Sequence, residues 1–244
     1  MAESDDQYDV LGEVYERAKH IPTGLAERAT LLAALPDLGG ASVLDVACGT
    51  GFYPREFRRL GADRVVGVDS AGEMVAHARE VERRAPLGIT YHRHDAVTLP
   101  VLGVFDVVTA IWLLGYAEDE PALDRMIGNL RANLAPGGTL AVLVPNPDPD
   151  WAVLADDYGR YGYEVVRTGP PGARQPVVVR VHGDPPFEFD SFYWLGDVCV
   201  DALTRAGLRD VTRHPTVVPD DGRGEEFWGP LRRSPSFAVF TARA

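Results

Sequence analysis

The chain has 244 residues, 45% hydrophobic and 25% charged, enough apolar material to bury a sizeable core in one large domain or two small ones. Its 24 basic and 36 acidic side chains leave a net charge of −12. That balance argues against nucleic acid or an anionic membrane as a partner, because attraction to phosphate needs a basic surface, and leaves room for a cationic small ligand. Two widely separated cysteines, Cys48 and Cys199, make neither a disulfide framework nor a zinc set. The acidic start MAESDDQYDVLGEVYERAKH lacks the apolar stretch of a signal peptide, and no apolar run is long enough to span a bilayer. A reducing cytoplasm is the expected compartment.

Residues 7–35 read as mostly helical, with a break near HIPTG. ASVLDVAC is a short apolar run before glycines, the pattern of a buried strand. Pro54 suits the first turn of a helix whose stop is Gly61. RVVGVD (64–69) reads as a second buried strand, and Ser70 with Glu73 forms a capping-box pattern at the next helix. ITYHRHD (89–95) alternates like a strand nearer the sheet edge. FDVVTAIWLL (105–114) is another apolar strand. Leu123, Met126, Ile127, Leu130 and Leu134 then recur at helical spacing, PGG (136–138) breaks that helix, and TLAVLVP (139–145) is a fifth strand. Strands alternating with helices imply a mostly parallel sheet covered on both faces.

After Pro145 the rhythm changes. Residues 146–194 hold nine of the 22 aromatic residues, about twice the average density and too rich for a plain linker. EVVRT and PVVVRVHG look like strands of a hairpin or small flap. WLGDVCVDALTRAG is an amphipathic helix ending at Gly207, PDDGRGEE (219–226) reads as a solvated loop, and LRDVTRHP and SFAVFTARA are closing strands. The expected organisation is a single domain over 1–244, with 1–35 as an N-terminal helical cap and 146–194 as an inserted substrate cap.

In such sheets ligands bind at the carboxyl ends of the strands. Those ends carry Gly49 and Gly51, Asp69, Asp95 and Ile111–Trp112. A dinucleotide turn needs a third small residue where this chain has Pro54, a poor match. The strand LDVACGTG, an acid ending the second strand, an acid ending the third, and PGG before the fifth resemble the class I S-adenosylmethionine (SAM)-dependent methyltransferases over residues 40–145. Ala47 stands where many members have the first glycine. The resemblance implies an α/β, Rossmann-like, seven-stranded, mostly parallel sheet with an aromatic-rich cap insertion.

It also implies SAM as cofactor and S-adenosylhomocysteine (SAH) as product. Asp45 and the backbone at Ala47, Gly49 and Gly51 would approach the methionine portion. Asp69, next to Ser70, would accept from both ribose hydroxyls. Asp95 and the Ala96 N–H would meet the adenine edge, Met74 its face, and the Ile111 carbonyl the methionine ammonium. Tyr8 and Tyr15 of the N-terminal helix would help cover the site, Tyr15 as a cofactor contact. Tyr15, His20 and Tyr116, with His182 and His214, are candidate bases for the acceptor's proton.

Over a wider span, QYD, YERAKHIP, GFYPREF, LLGYAEDE, FYW and EFW resemble the toxoflavin-synthase-like branch, which N-methylates a fused nitrogen heterocycle. The expected acceptor is a small molecule, planar or another secondary metabolite, and the expected state a monomer or weak homodimer. An aminopropyl-type transferase and a non-catalytic SAM- or partner-binding module remain alternatives on the same scaffold. His92 and His94 share a strand face beside Asp95 but lack a third metal ligand. NPDP (146–149) lies after the wrong strand for the Asn-Pro-Pro-aromatic signature of nucleic-acid amino-methylating enzymes.

Overall fold

A computed structural model describes residues 16–156, 158–182 and 186–244; Tyr8, Tyr15 and the start of the expected first helix lie outside them. Seven strands form one sheet in the order β3-β2-β1-β4-β5-β10-β9. These are β1 (Ser42–Val46), β2 (Arg64–Asp69), β3 (Thr90–Arg93), β4 (Phe105–Ile111), β5 (Leu134–Pro145), β9 (Arg209–His214) and β10 (Phe237–Arg243). β1 to β5 pair in parallel, while β10 runs antiparallel to both β5 and β9. The chain order reverses direction across the sheet at β1 and β4, where α/β sheets open a crevice.

Alternation along the strands divides the core. Val43, Val107, Leu143 and Val239 face α1 (Pro22–Ala34), α2 (Phe52–Arg59) and α3 (Gly72–Arg84). Leu44, Val108, Val142 and Phe240 face α4 (Glu120–Ala132) and α6 (Val198–Arg205). Both faces are therefore covered, as continuous apolar strands require. Among the described residues no helix is long and apolar enough to cross a membrane.

Several boundaries differ from the sequence reading, each for a local reason. Leu134 belongs to β5, not to the helix before it: α4 stops at Asn133, whose side chain accepts from Leu102 N–H and donates to the Pro100 carbonyl. PGG lies within β5 and does not end the helix. α3 begins at Gly72 with Ala71 at its N-cap, one residue later than the Ser70 pattern puts it, and Asp69 Oδ1 receives Ala71 N–H at 3.0 Å at that turn. β4 ends at Ile111 because Trp112 turns left-handed at a φ of +62°.

The region after β5 carries a second, three-stranded antiparallel sheet: β6 (Tyr163–Arg167), β7 (Arg174–Val181) and β8 (Phe187–Trp194). The sequence reading found β6 and β7 but not β8. α5 (Trp151–Asp156) precedes it. Residues 224–226, read as loop, begin α7 (Gly224–Arg233), which buries Trp228 with its indole N–H on Asp221 at 3.1 Å. Aromatic hydroxyls tie this layer to the main body: Tyr161 donates to the Phe227 carbonyl at 2.6 Å and Tyr193 to that of Ser236 at 3.2 Å. Trp194 reaches the Leu114 carbonyl and Arg174 that of Ala117.

Candidate active site

The turn between β1 and α2 is held by backbone geometry and by side chains that bond its backbone, Asp69 to Gly49 N–H and Arg55 to the Thr50 carbonyl. Ala47, Gly49 and Gly51 take φ values of +65°, +52° and +81°. Cys48 N–H bonds back to the Val68 carbonyl and Gly51 N–H to the Cys48 carbonyl. A Cβ on Gly51 would lie 2.4 Å from the Tyr91 hydroxyl oxygen, so both backbone angle and space demand glycine there. Ala47 adopts the same left-handed region with a side chain, at a cost of about 1–2 kcal/mol.

Asp69, ending β2, joins this turn to the next: Oδ2 accepts Gly49 N–H at 2.7 Å and Oδ1 accepts Ala71 N–H. Asp95 after β3 caps a short turn by accepting Val97 N–H at 2.7 Å. Thr109 on β4 lies in register with Asp45 on β1 and donates to Asp45 Oδ1 at 2.5 Å. Asp45 is 1% exposed and its Oδ2 has no hydrogen-bond partner. Burial, against the Thr109 bond and with the nearby Asp69 charge, pushes its carboxyl up to about 7.

These strand ends surround a cleft of about 190 Å³. Ala47, Gly49, Asp69, Ser70 and Met74 line it, with Asp95, Ala96, Ile111, Trp112 and Tyr116. Asp45 and Gly51 are not lining residues; Asp45 is buried, and Gly51 opens α2. His20 is exposed, meets Phe52 edge-on with ring centroids 6.1 Å apart, and lines no cavity described here. His182 pairs with Glu164 and His214 with Thr241 at the rim of the fold. Tyr15 lies outside the described residues. Burial pushes the Tyr116 phenol well above its ordinary value. Among the described residues no cluster of three metal-ligating side chains occurs.

Sequence reasoning had Trp112 and Tyr116 near the site but missed Lys19 and the chamber behind them. Lys19, Trp112 and Tyr116 line the cleft and also a second, smaller chamber of about 50 Å³. That chamber is built from Glu27 on α1, Tyr163 on β6 and Phe187, Phe189, Ser191 and Tyr193 on β8. The Trp112 indole N–H donates to Glu27 Oε2 at 3.1 Å. Strict alternation in FEFDSFYW was the signal for β8, since every second residue from Phe187 faces the chamber. Nothing local signals that Lys19 and Glu27 are buried.

The cleft fits SAM. Its lining sets the acids Asp69, Asp95 and Glu118 against Lys19 and Arg125, a negative balance that favours a sulfonium and an ammonium over a pyrophosphate. Residues 43–138 match the family described as "Methyltransferase domain". The "Ubiquinone biosynthesis O-methyltransferase" of Xanthomonas oryzae pv. oryzae is 35% identical over 130 residues, 52% of this chain and 53% of the relative. The chain thus spans about half the length of the curated relatives it matches. A SAM-dependent methyltransferase crystal structure from Mesorhizobium loti is 28% identical, with a TM-score of 0.64, over 91% of this chain and 99% of the other. A structure described as a "DhpI-SAM-HEP complex" shares the fold at 19% identity and a TM-score of 0.65, over 98% of this chain and 95% of that one. Residues 43–138 thus match a methyltransferase domain, and in strand order, in the acids at its strand ends and in these likenesses the chain is similar to the class I SAM-dependent methyltransferases.

Proposed function

We propose that the chain transfers a methyl group from SAM to a small molecule seated in the aromatic chamber, with a planar heterocycle as the favoured acceptor. SAM supplies a methyl carbon on a positive sulfur, open to in-line attack. Asp69 serves the ribose hydroxyls: each oxygen already accepts one backbone N–H and keeps a further lone pair. Asp95 and Ala96 take the adenine edge, Met74 its face. Ser70, the Ile111 carbonyl and the backbone at Ala47 and Gly49 border the rest of the cofactor, over the field of Asp45.

The observation that carries this reading is the shared wall: Lys19, Trp112 and Tyr116 border both hollows, so donor and acceptor would meet across it. Alignment of that kind can supply about 7–11 kcal/mol of a barrier. The inserted sheet serves as the cap that keeps water out, together with residues 16–35, the described part of the expected N-terminal cap. The family match ends at residue 138, before the insert, so the acceptor is argued from the chamber and not from the O-methyltransferase relatives.

Calorimetry with SAM and SAH, followed by mass spectrometry on a library of hydroxylated and nitrogen heterocycles, tests it. Binding of both with a methylated product supports the proposal. No SAM binding overturns it. Binding without product across the library favours the non-catalytic module.

A further inference from the structure

Glu27 is 5% exposed and lies among aromatic rings on the wall of the second chamber. A carboxylate in such a place is costly unless a cation or donor meets it. Burial raises its proton affinity, while Lys19 and the Trp112 hydrogen bond oppose that shift. Positioning Trp112 would not require a charge, since a glutamine oxygen accepts equally well.

The groups facing Glu27 come from four elements. Lys19 precedes α1, Tyr116 follows β4, Tyr163 lies on β6 and Tyr193 on β8. The three phenols are all pushed up by burial and stay neutral. Lys19 Nζ sits 5.4 Å from the centre of the Tyr53 ring, and Tyr53 lines the cofactor cleft but not the chamber. Lys19 itself lines both hollows, and its charge also acts on Glu27. Glu27 is the one acidic group among the chamber's lining residues. Phe187, Phe189 and Trp112 supply ring surfaces that attract a cation.

Resting on the proposed function, we propose that the acceptor is an amine, held as its ammonium by Glu27 and the chamber's rings and deprotonated by Glu27 before methyl transfer. One N–H proton passes to the Glu27 carboxylate. The freed nitrogen lone pair forms the N–C bond to the methyl carbon as the C–S bond breaks, its electron pair remaining on sulfur. The product leaves as a methylated ammonium, and Glu27 returns its proton to water. A carboxylate ligand is repelled by Glu27, and a neutral alcohol leaves its charge unused.

The test titrates SAH-loaded protein with benzylamine, benzyl alcohol and benzoate, which share a ring and differ in the head group. Benzylamine is expected to bind at least about tenfold tighter than benzyl alcohol. Mild acid should weaken benzylamine and spare benzyl alcohol, because protonating Glu27 removes the counter-charge. Glu27→Gln should erase the preference while keeping SAH affinity and the unfolding midpoint. A preference that survives in Glu27→Gln, equal binding of the three, tighter benzoate, or no benzylamine binding overturns the proposal. Failure of wild-type protein to bind SAH would instead strike the cofactor reading. Should Glu27→Gln not fold, Phe189→Ala takes its place: benzylamine must lose more affinity than benzyl alcohol, and equal losses overturn the proposal.

Discussion

Asp69→Ala separates the turn contacts that Asp69 makes in the structure from the ribose contacts proposed for the same carboxylate. Its oxygens accept Gly49 N–H at 2.7 Å and Ala71 N–H at 3.0 Å. Hydrogen bonds to a charged acceptor contribute about 1.5–3 kcal/mol each. Water admitted to this half-buried turn replaces part of that, so a net destabilisation of about 2–3 kcal/mol is expected. Loss of the ribose contacts should weaken SAM by at least about tenfold, or 1.4 kcal/mol. Asp69→Asn keeps one acceptor oxygen and should hold one of the two turn contacts while still losing charge. Urea unfolding of the free protein measures the first effect and calorimetry with SAM and SAH the second, read below the unfolding transition. An Asp69→Ala protein that binds SAM with wild-type affinity would refute the ribose assignment. Unchanged stability would refute the claim that this side chain organises the turn.

Other expectations follow from the same turn and its surroundings. Ala47→Gly relieves a φ of +65° and, after glycine's larger unfolded-state entropy, should raise stability by about 0.5–1 kcal/mol; a lower midpoint in urea would contradict the strain. Gly51→Ala must push its new methyl against Tyr91 at a φ of +81°, costing about 2–4 kcal/mol; a wild-type melting curve would disprove the close approach. Asp45 has its folded pKa raised from 3.8 to about 7. Its contribution to stability is therefore fully present below the unfolded value and fades as pH rises through about 7. Asp45→Asn should flatten the stability profile between these limits, and an unchanged profile would place the titration elsewhere. SAM favours ionised Asp45 through its positive charge, so binding near pH 6 should release protons, measurable as a buffer-dependent heat.

Much of this protein was legible in its sequence because the relevant forces are local. Apolar runs such as RVVGVD and FDVVTAI, punctuated by glycine and charged helices, specify strands buried on both faces, and their order fixes a parallel sheet. Asp69 and Asp95 follow directly, since an acid at the carboxyl end of a parallel strand is placed by the strand itself. The boundary that moved most did so through contacts between distant residues: Asn133 stopped a helix by bonding to Pro100 and Leu102.

The acceptor side was decided by tertiary structure alone. Glu27 and Trp112 are 85 positions apart, and no spacing rule links a helical glutamate to a tryptophan past a strand end. His20, attractive as an isolated histidine, lies in solvent, while Lys19 beside it is buried. Burial is a property of what packs over a side chain, and the sheet that packs over Glu27 comes from the far half of the chain. The sequence by itself placed Asp69 and Asp95 at the strand ends that line the cleft; only the folded arrangement of α1 with β6 and β8 put Glu27 on the wall of the second chamber.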